Sequence, residues 1–476
     1  MKNYKEYFKG RKVTMLGLGL LGRGLNDAKF LAECGADLII TDLKKAEDLA
    51  PTLKKLEKYK KPSKGRAGIK YVLGEHRLED FKNRDFILKA AGVPLDSPYI
   101  NEAKKNNIPV EMDESLFAKI VSGCHSRADG NPEFKNLKMD PVLQRDDRES
   151  GIKIVGVTGT RGKTTTTYLI YEILKKAESK LGCKVYLGGN IKGLATLPLL
   201  KKVKSGDIVV MELSSWQLQG FGDAKISPDI SVFTNLMNDH LNYYKGSVKR
   251  YFDDKKIIYK NQRLEDFLII GESMEEKIGK VKSKKLIAKK NLIPQDWDLK
   301  IKGEHNLENI SCAILVARIF GIDEKIIKNV VCNFTGVEGR QEFLKEYKGV
   351  KIYNDTTATT PDATIVALKS FGDKKSKNIV LIMGGADKTL DMSELIKEIP
   401  KYCKKVFLFP GTGTDKVKDK IEGLVVESLS GAVLEAFKWV KKGDILLFSP
   451  GFASFGMFKN EFDRGEQFIK IIKKLK

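Results

Sequence analysis

The sequence lacks several features by which common classes of protein are recognised. It has six cysteines in 476 residues and none forms a C-x-x-C pair, which argues against a disulfide framework or a zinc site. No apolar run reaches the length of about 18 residues that crosses a bilayer. The first eight residues also lack the apolar core of a signal peptide. These absences predict a cytoplasmic protein without a membrane segment.

Acidic residues are scarce relative to basic ones, with 62 Asp and Glu against 85 Lys and Arg and a formal charge of +23. A charge of this sign favours polyanionic ligands, and nucleic acid is the first such hypothesis. The lysines are spread through every segment, however, and do not concentrate in one stretch. We interpret most of them as solvated surface, expect no nucleic-acid partner and keep small polyanions such as nucleotides as ligands.

The most informative segment is the run Thr-Gly-Thr-Arg-Gly-Lys-Thr-Thr-Thr at residues 158–166. It follows a β-branched run at 152–157 and precedes helical periodicity at 168–174. A strand, a glycine-rich turn and a helix N-terminus place backbone N–H groups around a phosphate. Lys163 supplies a positive charge there and the Thr164 hydroxyl can reach Mg²⁺. We therefore predict a nucleotide-phosphate loop.

A second glycine motif, G-x-G-x-x-G at residues 17–22, follows the strand 12–16. Asp42 lies twenty positions beyond it, at the end of a second strand, as in dinucleotide-binding folds. Taken alone, this motif favours an NAD(P)-dependent dehydrogenase. The glycines indicate only a close approach to a phosphate, so the ligand stays open at this point.

Strand and helix signals alternate along the chain, which predicts an α/β fold with mostly parallel sheets. We expect three domains: a Rossmann-like domain at 1–122, a central ATPase domain at 151–335 and a Rossmann-like domain at 336–476. The polar, unpatterned stretch 123–150 between the first two is interpreted as a linker or insertion.

Four further motifs belong to the central domain. Glu212 ends a strand, where a carboxylate beside a phosphate loop can hold Mg²⁺. His240 is one of only four histidines and lies in a polar loop after another strand, so we assign it a functional role. The lysines of the helix around Lys255 are, by pattern alone, solvated surface. Asparagines at 306 and 309 open a helix, where they can cap it or contact an adenine edge.

In combination and in order, these motifs resemble the Mur ligase family over nearly the whole chain, apart from 123–150. The resemblance also rests on Gly-Gly-Asn at 188–190, Glu-Leu-Ser-Ser-Trp-Gln at 212–217, Asn-Asp-His at 238–240, Gly-Glu-His-Asn at 303–306, 354–359 and 449–454. The Rossmann-like first domain favours the member that adds glutamate. The resemblance implies an ATP-dependent amide ligase that joins D-glutamate to UDP-N-acetylmuramoyl-L-alanine through an acyl phosphate in peptidoglycan precursor synthesis.

The resemblance also implies a role for each matching residue, with ATP and two Mg²⁺ ions as cofactors and a monomeric enzyme. The catalytic residues implied are Lys163, Glu212, His240, Lys255 and Asn190. The ATP-binding residues implied are Gly159, Thr160, Arg161, Gly162, Lys163, Thr164, Thr165, Asn306, Asn309, Arg340 and Asp355. The metal ligands implied are Thr164, Glu212, His240 and Lys255, the last as an N-carboxylated lysine. The UDP-substrate residues implied are Leu20, Leu21, Asp42 and Gly92, and the glutamate residues are Thr359, Lys388 and Ser454.

One position departs from the family pattern. The frequent Asp-Ser-Lys-Ala-Thr-Asn reads Asp-Thr-Thr-Ala-Thr-Thr at 355–360, so Thr357 replaces a lysine near the incoming amino acid. A cation elsewhere, from Lys459 or Arg464, is one way to compensate. L-glutamate or another amino acid therefore stays open, and a dehydrogenase or a nucleic-acid-dependent ATPase is the remote alternative. The related folylpolyglutamate synthetases lack a comparable uridine domain.

Overall fold

Three β-sheets form the framework of the computed structural model, which describes residues 4–19, 22–62, 67–122, 151–240 and 243–475. The expected linker at 123–150 and the sites expected at Leu20 and Leu21 lie outside the described residues. Sixteen of the seventeen strands pair in parallel with at least one neighbour. The predicted α/β class with mostly parallel sheets is confirmed.

The first sheet has the order β3-β2-β1-β4-β5, and all its neighbours are parallel. Helices cover its strands, and the short apolar runs of the sequence are accordingly buried. The strands are β1 Lys12–Leu16, β2 Asp37–Asp42, β3 Ile69–Leu73, β4 Phe86–Lys89 and β5 Val110–Glu111. The helices are α1 Tyr4–Phe8, α2 Arg23–Glu33, α3 Ala46–Leu56, α4 Pro98–Lys105 and α5 Asp113–Val121.

The second sheet, also parallel throughout, has the order β11-β10-β9-β6-β8-β7. The phosphate-loop strand β6 therefore lies between β9 and β8. Because the three strands are parallel, their carboxyl ends lie at the same edge of the sheet. The strands are β6 Lys153–Thr158, β7 Val185–Gly189, β8 Ile208–Glu212, β9 Ile230–Phe233, β10 Phe267–Gly271 and β11 Lys284–Ala288. The helices are α6 Lys163–Lys176, α7 Glu178–Leu181, α8 Ser215–Asp223, α9 Val248–Lys260, α10 Glu304–Ile319 and α11 Glu324–Asn333.

The third sheet has the order β12-β13-β17-β14-β15-β16 and is mixed, because its edge strand β12 runs antiparallel to β13. The strands are β12 Glu342–Tyr347, β13 Val350–Asn354, β14 Ile379–Gly384, β15 Cys403–Phe409, β16 Leu424–Val425 and β17 Ile445–Gly451. The helices are α12 Pro361–Phe371, α13 Ser393–Tyr402, α14 Thr412–Val417, α15 Leu429–Phe437 and α16 Glu461–Lys473. Apolar side chains are buried on both faces of this sheet.

The chain divides into two compact units. Unit 1 comprises residues 1–292 and 308–327, and unit 2 comprises residues 293–307 and 328–476. Unit 1 contains the first two sheets, and one cluster of buried apolar side chains extends through both of them, from Phe8 to Ile278. Helix α5 of the first sheet packs against α8 of the second. The expected domain boundaries near residues 122, 150 and 335 stay predictions.

Candidate active site

The loop after β6 has a backbone shape that only glycine adopts readily. Gly159 and Gly162 have φ angles of 145° and 79°, a region that side-chain-bearing residues rarely occupy. A Cβ would lie 1.9 Å from Thr234 Oγ1 at Gly159 and 2.1 Å from Asn309 Oδ1 at Gly162. Gly162 is the N-cap of α6, so the first N–H groups of the helix face the loop. The predicted order of strand, glycine turn and helix is confirmed.

The other loop side chains differ in exposure. Thr160 is buried, whereas Thr164 and Thr165, on the first turn of α6, are partly exposed. The Arg161 guanidinium lies 3.7 Å from the Asp239 carboxylate. The threonine hydroxyls of the first helical turn are thus at the mouth of the loop, where the sequence-based prediction requires Thr164.

Two lysine side chains converge on the carbonyl oxygens of this loop. Lys163 Nζ donates to Gly159 O and Thr160 O, both at 3.0 Å. Lys255 Nζ donates to the same Gly159 O at 2.7 Å. Lys255 is 1% exposed, so its interpretation as a surface lysine is wrong. Burial, reinforced by the nearby charge of Lys163, lowers the pKa of Lys255 well below its ordinary value.

Glu212, at the end of β8, is buried beside this loop. Its Oε1 accepts a hydrogen bond of 3.2 Å from Asn190 Nδ2. Its Oε2 is also buried, and it accepts no hydrogen bond from the residues that the structure describes. Gly189 has a φ of 83°, and a Cβ there would lie 2.1 Å from Glu212 O. The glycine before Asn190 is therefore required by the close approach of β7 to Glu212.

The His240 ring, in the loop after β9, packs against two aromatic rings. Its ring centroid is 4.7 Å from that of Trp216 and 6.2 Å from that of Tyr251. Its backbone has a φ of 52°, which is uncommon for a residue with a side chain. Desolvation lowers its pKa below the ordinary value of 6.5, so the imidazole is neutral at neutral pH. The neutral ring is the form that binds metal ions.

The donor chemistry around the loop suits Mg²⁺, which prefers oxygen ligands and few protein contacts. Glu212 presents a buried oxygen that accepts no hydrogen bond from the described residues. Within the described part of the chain, no group of three or more His, Cys, Asp and Glu residues forms a metal cluster. The predicted ligand set contains only two residues of those types, Glu212 and His240, so the assignment of Thr164 and Lys255 stays a prediction.

Asp42 ends β2 and closes the glycine loop of the first sheet. Its Oδ2 accepts from the backbone N–H groups of Leu18 at 2.8 Å and Gly19 at 3.0 Å. Its Oδ1 accepts from the N–H of Lys44 at 2.9 Å. The acidic residue of the fingerprint thus stabilises the loop itself, whereas the sequence predicts that it contacts a ligand.

A cavity of about 400 Å³ opens next to Asp42, at the carboxyl ends of β2 and β3. Its lining residues are Lys45, Ala46, Glu47, Leu73, Gly74 and Glu75. Gly92 lies in the turn after β4, and a Cβ placed on it would have none of the described residues within 4 Å. Open α/β sheets bind ligands beyond the carboxyl ends of their strands at the point where the strand order reverses, which here lies between β1 and β4, so this cavity lies to one side of that point.

In unit 2, Asp355 follows β13 and is 6% exposed. Both carboxylate oxygens accept hydrogen bonds: Oδ1 from the N–H of Gln341 at 3.1 Å and Oδ2 from Ser449 Oγ at 2.8 Å. Burial nevertheless raises the pKa of Asp355 to about 7. Asp355 is therefore only partly ionised near neutral pH in the free protein.

Arg464, near the start of α16, is fully buried. Its Nη2 and Nε donate to Thr356 O at 2.7 Å and Thr356 Oγ1 at 3.3 Å, and its Nη1 donates to Phe452 O at 3.0 Å. The guanidinium thus fastens the loop after β13 to the loop after β17. The expectation that Arg464 compensates for the missing lysine is not supported, because these donors face the protein's own oxygens.

The residues expected to bind glutamate are partly brought together. Lys388 Nζ donates to Thr359 Oγ1 at 3.1 Å. Ser454 is buried, in the segment that an antiparallel bridge between Ala386 and Ala453 places beside residues 384–388. Thr357, at the lysine position of the family pattern, donates through its hydroxyl to Gly339 O at 2.9 Å. This threonine therefore fixes the segment next to Arg340.

The residues expected around the nucleotide are distributed between the units. Asn309 belongs to unit 1, and its Oδ1 accepts from Thr166 Oγ1 on α6 at 3.2 Å. Asn306 belongs to unit 2, where its Nδ2 donates to Lys302 O at 2.8 Å. Arg340, also in unit 2, is exposed. Asn309 thus contacts the phosphate-loop helix, while Asn306 acts within the turn that starts α10.

Sequence reasoning missed Arg23, the residue directly after the first glycine motif. Its Nη2 donates to Gly189 O at 2.9 Å and to Asn190 Oδ1 at 3.2 Å. Its only signal in the sequence is its position at the start of α2. A cation is unfavourable there because it opposes the helix dipole, so its presence suggests a nearby anionic or acceptor partner.

Comparisons with known proteins agree with this geometry. The profile described as "Mur ligase middle domain" matches residues 157–291, and "Mur ligase, glutamate ligase domain" matches 339–452. A UDP-N-acetylmuramoylalanine–D-glutamate ligase of Roseiflexus sp. (strain RS-1) is 33% identical, over 97% of this chain and 98% of the relative. One from Borreliella afzelii (strain PKo) is 35% identical over 98% of both chains. The chain belongs to the Mur ligase family.

Solved Mur ligases share this fold at low sequence identity. UDP-N-acetylmuramate–alanine ligase of Thermotoga maritima has a TM-score of 0.59 and 19% identity, with 98% of this chain and all of that chain covered. A MurF ligase of the same organism in complex with ADP has a TM-score of 0.55 and 18% identity, over 92% and 94%. Among the residues that the structure describes, no helix is long and apolar enough to span a membrane.

Proposed function

We propose that this Mur ligase joins the α-amino group of D-glutamate to the alanyl carboxylate of UDP-N-acetylmuramoyl-L-alanine, with cleavage of ATP to ADP and phosphate. The observation that carries this proposal is the full-length similarity to relatives of that name. The reaction belongs to peptidoglycan precursor synthesis in the cytoplasm. We take the working unit to be a monomer with three domains at 1–122, 151–335 and 336–476.

The phosphate loop supports the first half of this chemistry. An alanyl carboxylate oxygen attacks the γ-phosphorus of ATP, and the bond to the β-phosphate oxygen breaks to release ADP. Lys163 neutralises the charge on the transferring phosphoryl group, and Asn190 orients Glu212 beside it through the 3.2 Å hydrogen bond. Positioning and charge neutralisation account for most of the catalysis in such transfers.

Amide formation follows on the acyl phosphate. The glutamate nitrogen attacks the acyl carbon, the carbon–oxygen bond to phosphate breaks and the amine proton leaves to solvent. We propose that Lys388 and Thr359, which contact each other at 3.1 Å, bind the glutamate carboxylates together with Ser454. Asn306, Asn309, Arg340 and Asp355 are proposed nucleotide residues, and Leu20, Leu21, Asp42 and Gly92 are proposed UDP-substrate residues.

Magnesium supplies the remaining positive charge when it is bound, and we propose two ions. Glu212 and Thr164 are the proposed ligands of one ion, and His240 with Lys255 of the other. The burial of Lys255 supports its carboxylation, because a neutral amine adds CO₂. In this reaction the nitrogen–carbon bond forms, the amine loses a proton to solvent and a carbamate oxygen becomes available to a cation.

The proposal is tested by measuring ADP release and product mass with UDP-N-acetylmuramoyl-L-alanine and either D- or L-glutamate. We expect sustained ADP release over many turnovers only when the UDP substrate and D-glutamate are both present, with one amide product per ADP. Equal or faster use of L-glutamate would overturn the assigned amino acid but not the ligase chemistry. Hydride transfer to NAD(P)⁺, or ATP hydrolysis stimulated by nucleic acid alone, would overturn the proposed function itself.

A further inference from the structure

We infer that Arg23 is a positioning residue for the phosphate-transfer site, which it reaches from the glycine loop of the first sheet. This inference rests on the proposed function and deepens it. Arg23 follows Gly22, the last glycine of the fingerprint, and opens α2. Its side chain extends from the first sheet towards the second and contacts Gly189 and Asn190, at the end of β7 and next to Glu212.

Arg23 and Glu212 hold the Asn190 amide from its two ends. A guanidinium can only donate hydrogen bonds, so the atom of Asn190 that it contacts at 3.2 Å is Oδ1. A carboxylate can only accept them, so the atom facing Glu212 Oε1 at 3.2 Å is Nδ2. Without Arg23, Asn190 Oδ1 loses its donor and Glu212 alone holds the amide, so the amide is less firmly fixed beside Glu212.

A closed circuit of contacts holds Arg23 in place. Its Nη1 lies 3.1 Å from Glu114 Oε1, a fully buried carboxylate of α5. The amide of Gln217 also donates to Glu114 Oε1. Gln217 belongs to the capping box that starts α8, shortly after Glu212 in the chain. The circuit therefore runs from Arg23 through Asn190 and Glu212, along the chain to Gln217, and back through Glu114.

The same face of the first domain holds the rest of the segment after β7. Asn26 Nδ2 donates to Gly193 O at 3.0 Å, and Asp113 Oδ2 accepts from the N–H of Thr196 at 3.1 Å. A Cβ on Gly22 would lie 3.8 Å from the Cα of Gly193. The glycine loop expected to bind the UDP substrate thus lies directly against the segment that carries Asn190.

The alternative is that Arg23 only joins the domains of the first two sheets and has no effect on Asn190. The chain contains a second residue that joins these domains, which serves as a matched control. Lys201 pairs with Glu33 at the other end of α2 and also joins the two domains. That pair touches none of the residues around Glu212. Replacement of Lys201 by methionine removes one cation from the same interface and leaves the circuit intact.

The test compares wild type, Lys201→Met, Arg23→Met and the double variant Arg23→Met/Glu114→Gln. The double variant removes the cation together with Glu114, the buried carboxylate that it contacts, which limits the fold defect that an unpaired buried carboxylate causes. We expect kcat of both Arg23 variants to fall by about 10- to 100-fold, as for one charge-assisted hydrogen bond. KM for glutamate should stay within about twofold of wild type, as should all constants of Lys201→Met.

A double-mutant cycle with Asn190→Ala shows whether Arg23 acts through the amide. In the Asn190→Ala background, Arg23→Met should cost less than about twofold, because the group that it orients is gone. Additive losses in the cycle, wild-type kcat in Arg23→Met/Glu114→Gln, or an equal loss in Lys201→Met would each overturn the inference while wild type remains active. A wild-type protein inactive with every amino acid would overturn the proposed function and the inference with it.

Discussion

Two regions of the molecule each contain a buried carboxylate at a strand end and a buried basic side chain, and the two regions use these groups differently. In unit 1, Lys255 donates to a loop carbonyl, and Glu212 keeps one buried oxygen that accepts no hydrogen bond from the described residues. In unit 2, Arg464 donates to three oxygens of two loops, and both oxygens of Asp355 accept hydrogen bonds. The unit 1 region retains a buried carboxylate oxygen for a ligand, whereas the Asp355 carboxylate and the Arg464 guanidinium are hydrogen-bonded within the fold.

The difference has a physical consequence for substitutions. A buried polar atom without a partner costs free energy in the free protein, and such costs concentrate at sites where a ligand later removes them. Changes around Glu212 should therefore alter turnover more than stability. Changes around Asp355 should alter stability, because each group there completes a hydrogen bond of the fold.

The largest effect is expected from Lys163→Met. Loss of the cation on the phosphate loop should lower kcat by at least about a thousandfold, since developing charge on the phosphoryl group is no longer neutralised. Binding of the UDP substrate, measured by calorimetry, should stay largely intact because the first sheet carries that site. Lys175→Met, on the exposed face of the same helix, is the control. Loss of UDP-substrate binding by a folded Lys163→Met protein would contradict this division of roles.

The next largest effect is expected from Lys255→Ala, at about 10- to 100-fold in kcat, in the range seen when a group that supports a metal ion is lost. A short carboxylate such as acetate should restore part of the activity, because it replaces the carbamate oxygens in the space left by the side chain. Lys256→Ala, at the partly exposed neighbour, should keep its activity and gain nothing from acetate. Equal rescue of both variants would exclude carboxylation at Lys255.

Arg464→Met should lower the stability of unit 2. Its removal leaves Thr356 O and Phe452 O without their donor, and we expect a loss of about 3 kcal/mol in the free energy of unfolding. Denaturant unfolding monitored with and without substrates measures this loss. Lys459→Met, in the exposed segment before α16, should change the free energy of unfolding little. An Arg464→Met protein that unfolds like wild type but does not turn over would assign Arg464 to ligand binding instead.

The last of these effects concerns pH. Because the folded state raises the pKa of Asp355 from 3.8 to about 7, folding retains a proton that the unfolded chain releases between these values. Asp355 therefore imposes no penalty below about pH 4, lowers stability by about 1.4 kcal/mol per unit as pH rises towards 7, and imposes its full penalty above that. Asp355→Asn should abolish this part of the slope, whereas the exposed Asp362→Asn should not. Parallel stability curves for wild type and Asp355→Asn would contradict the assignment.

The sequence predicts the parts of both regions that depend on local pattern. The glycines at 159 and 162 mark the phosphate loop because their backbone angles exclude other residues. The strand ends of Glu212 and Asp355 follow from the apolar runs before them. Lys255 could not be recognised as buried from its helix, because its neighbours Asp254 and Lys256 are charged and only packing against the loop reveals the contact.

Long-range polar contacts account for what the sequence does not predict. Arg23 and Asn190 are 167 residues apart, and Arg464 and Thr356 are 108 apart. Neither pair forms a motif, because a guanidinium can reach its partner from many sequence positions. Asp42 also differs from the simple expectation, since its carboxylate accepts from the glycine loop itself.

The contrast between the regions is tested most directly by measuring thermal unfolding and kcat on one preparation of Glu212→Gln. The account predicts that turnover is lost while the melting temperature stays the same or rises, because the glutamine amide keeps the shape of Glu212 and removes a buried charge reserved for a ligand. A Glu212→Gln protein that melts well below wild type and still turns over substrate would contradict it.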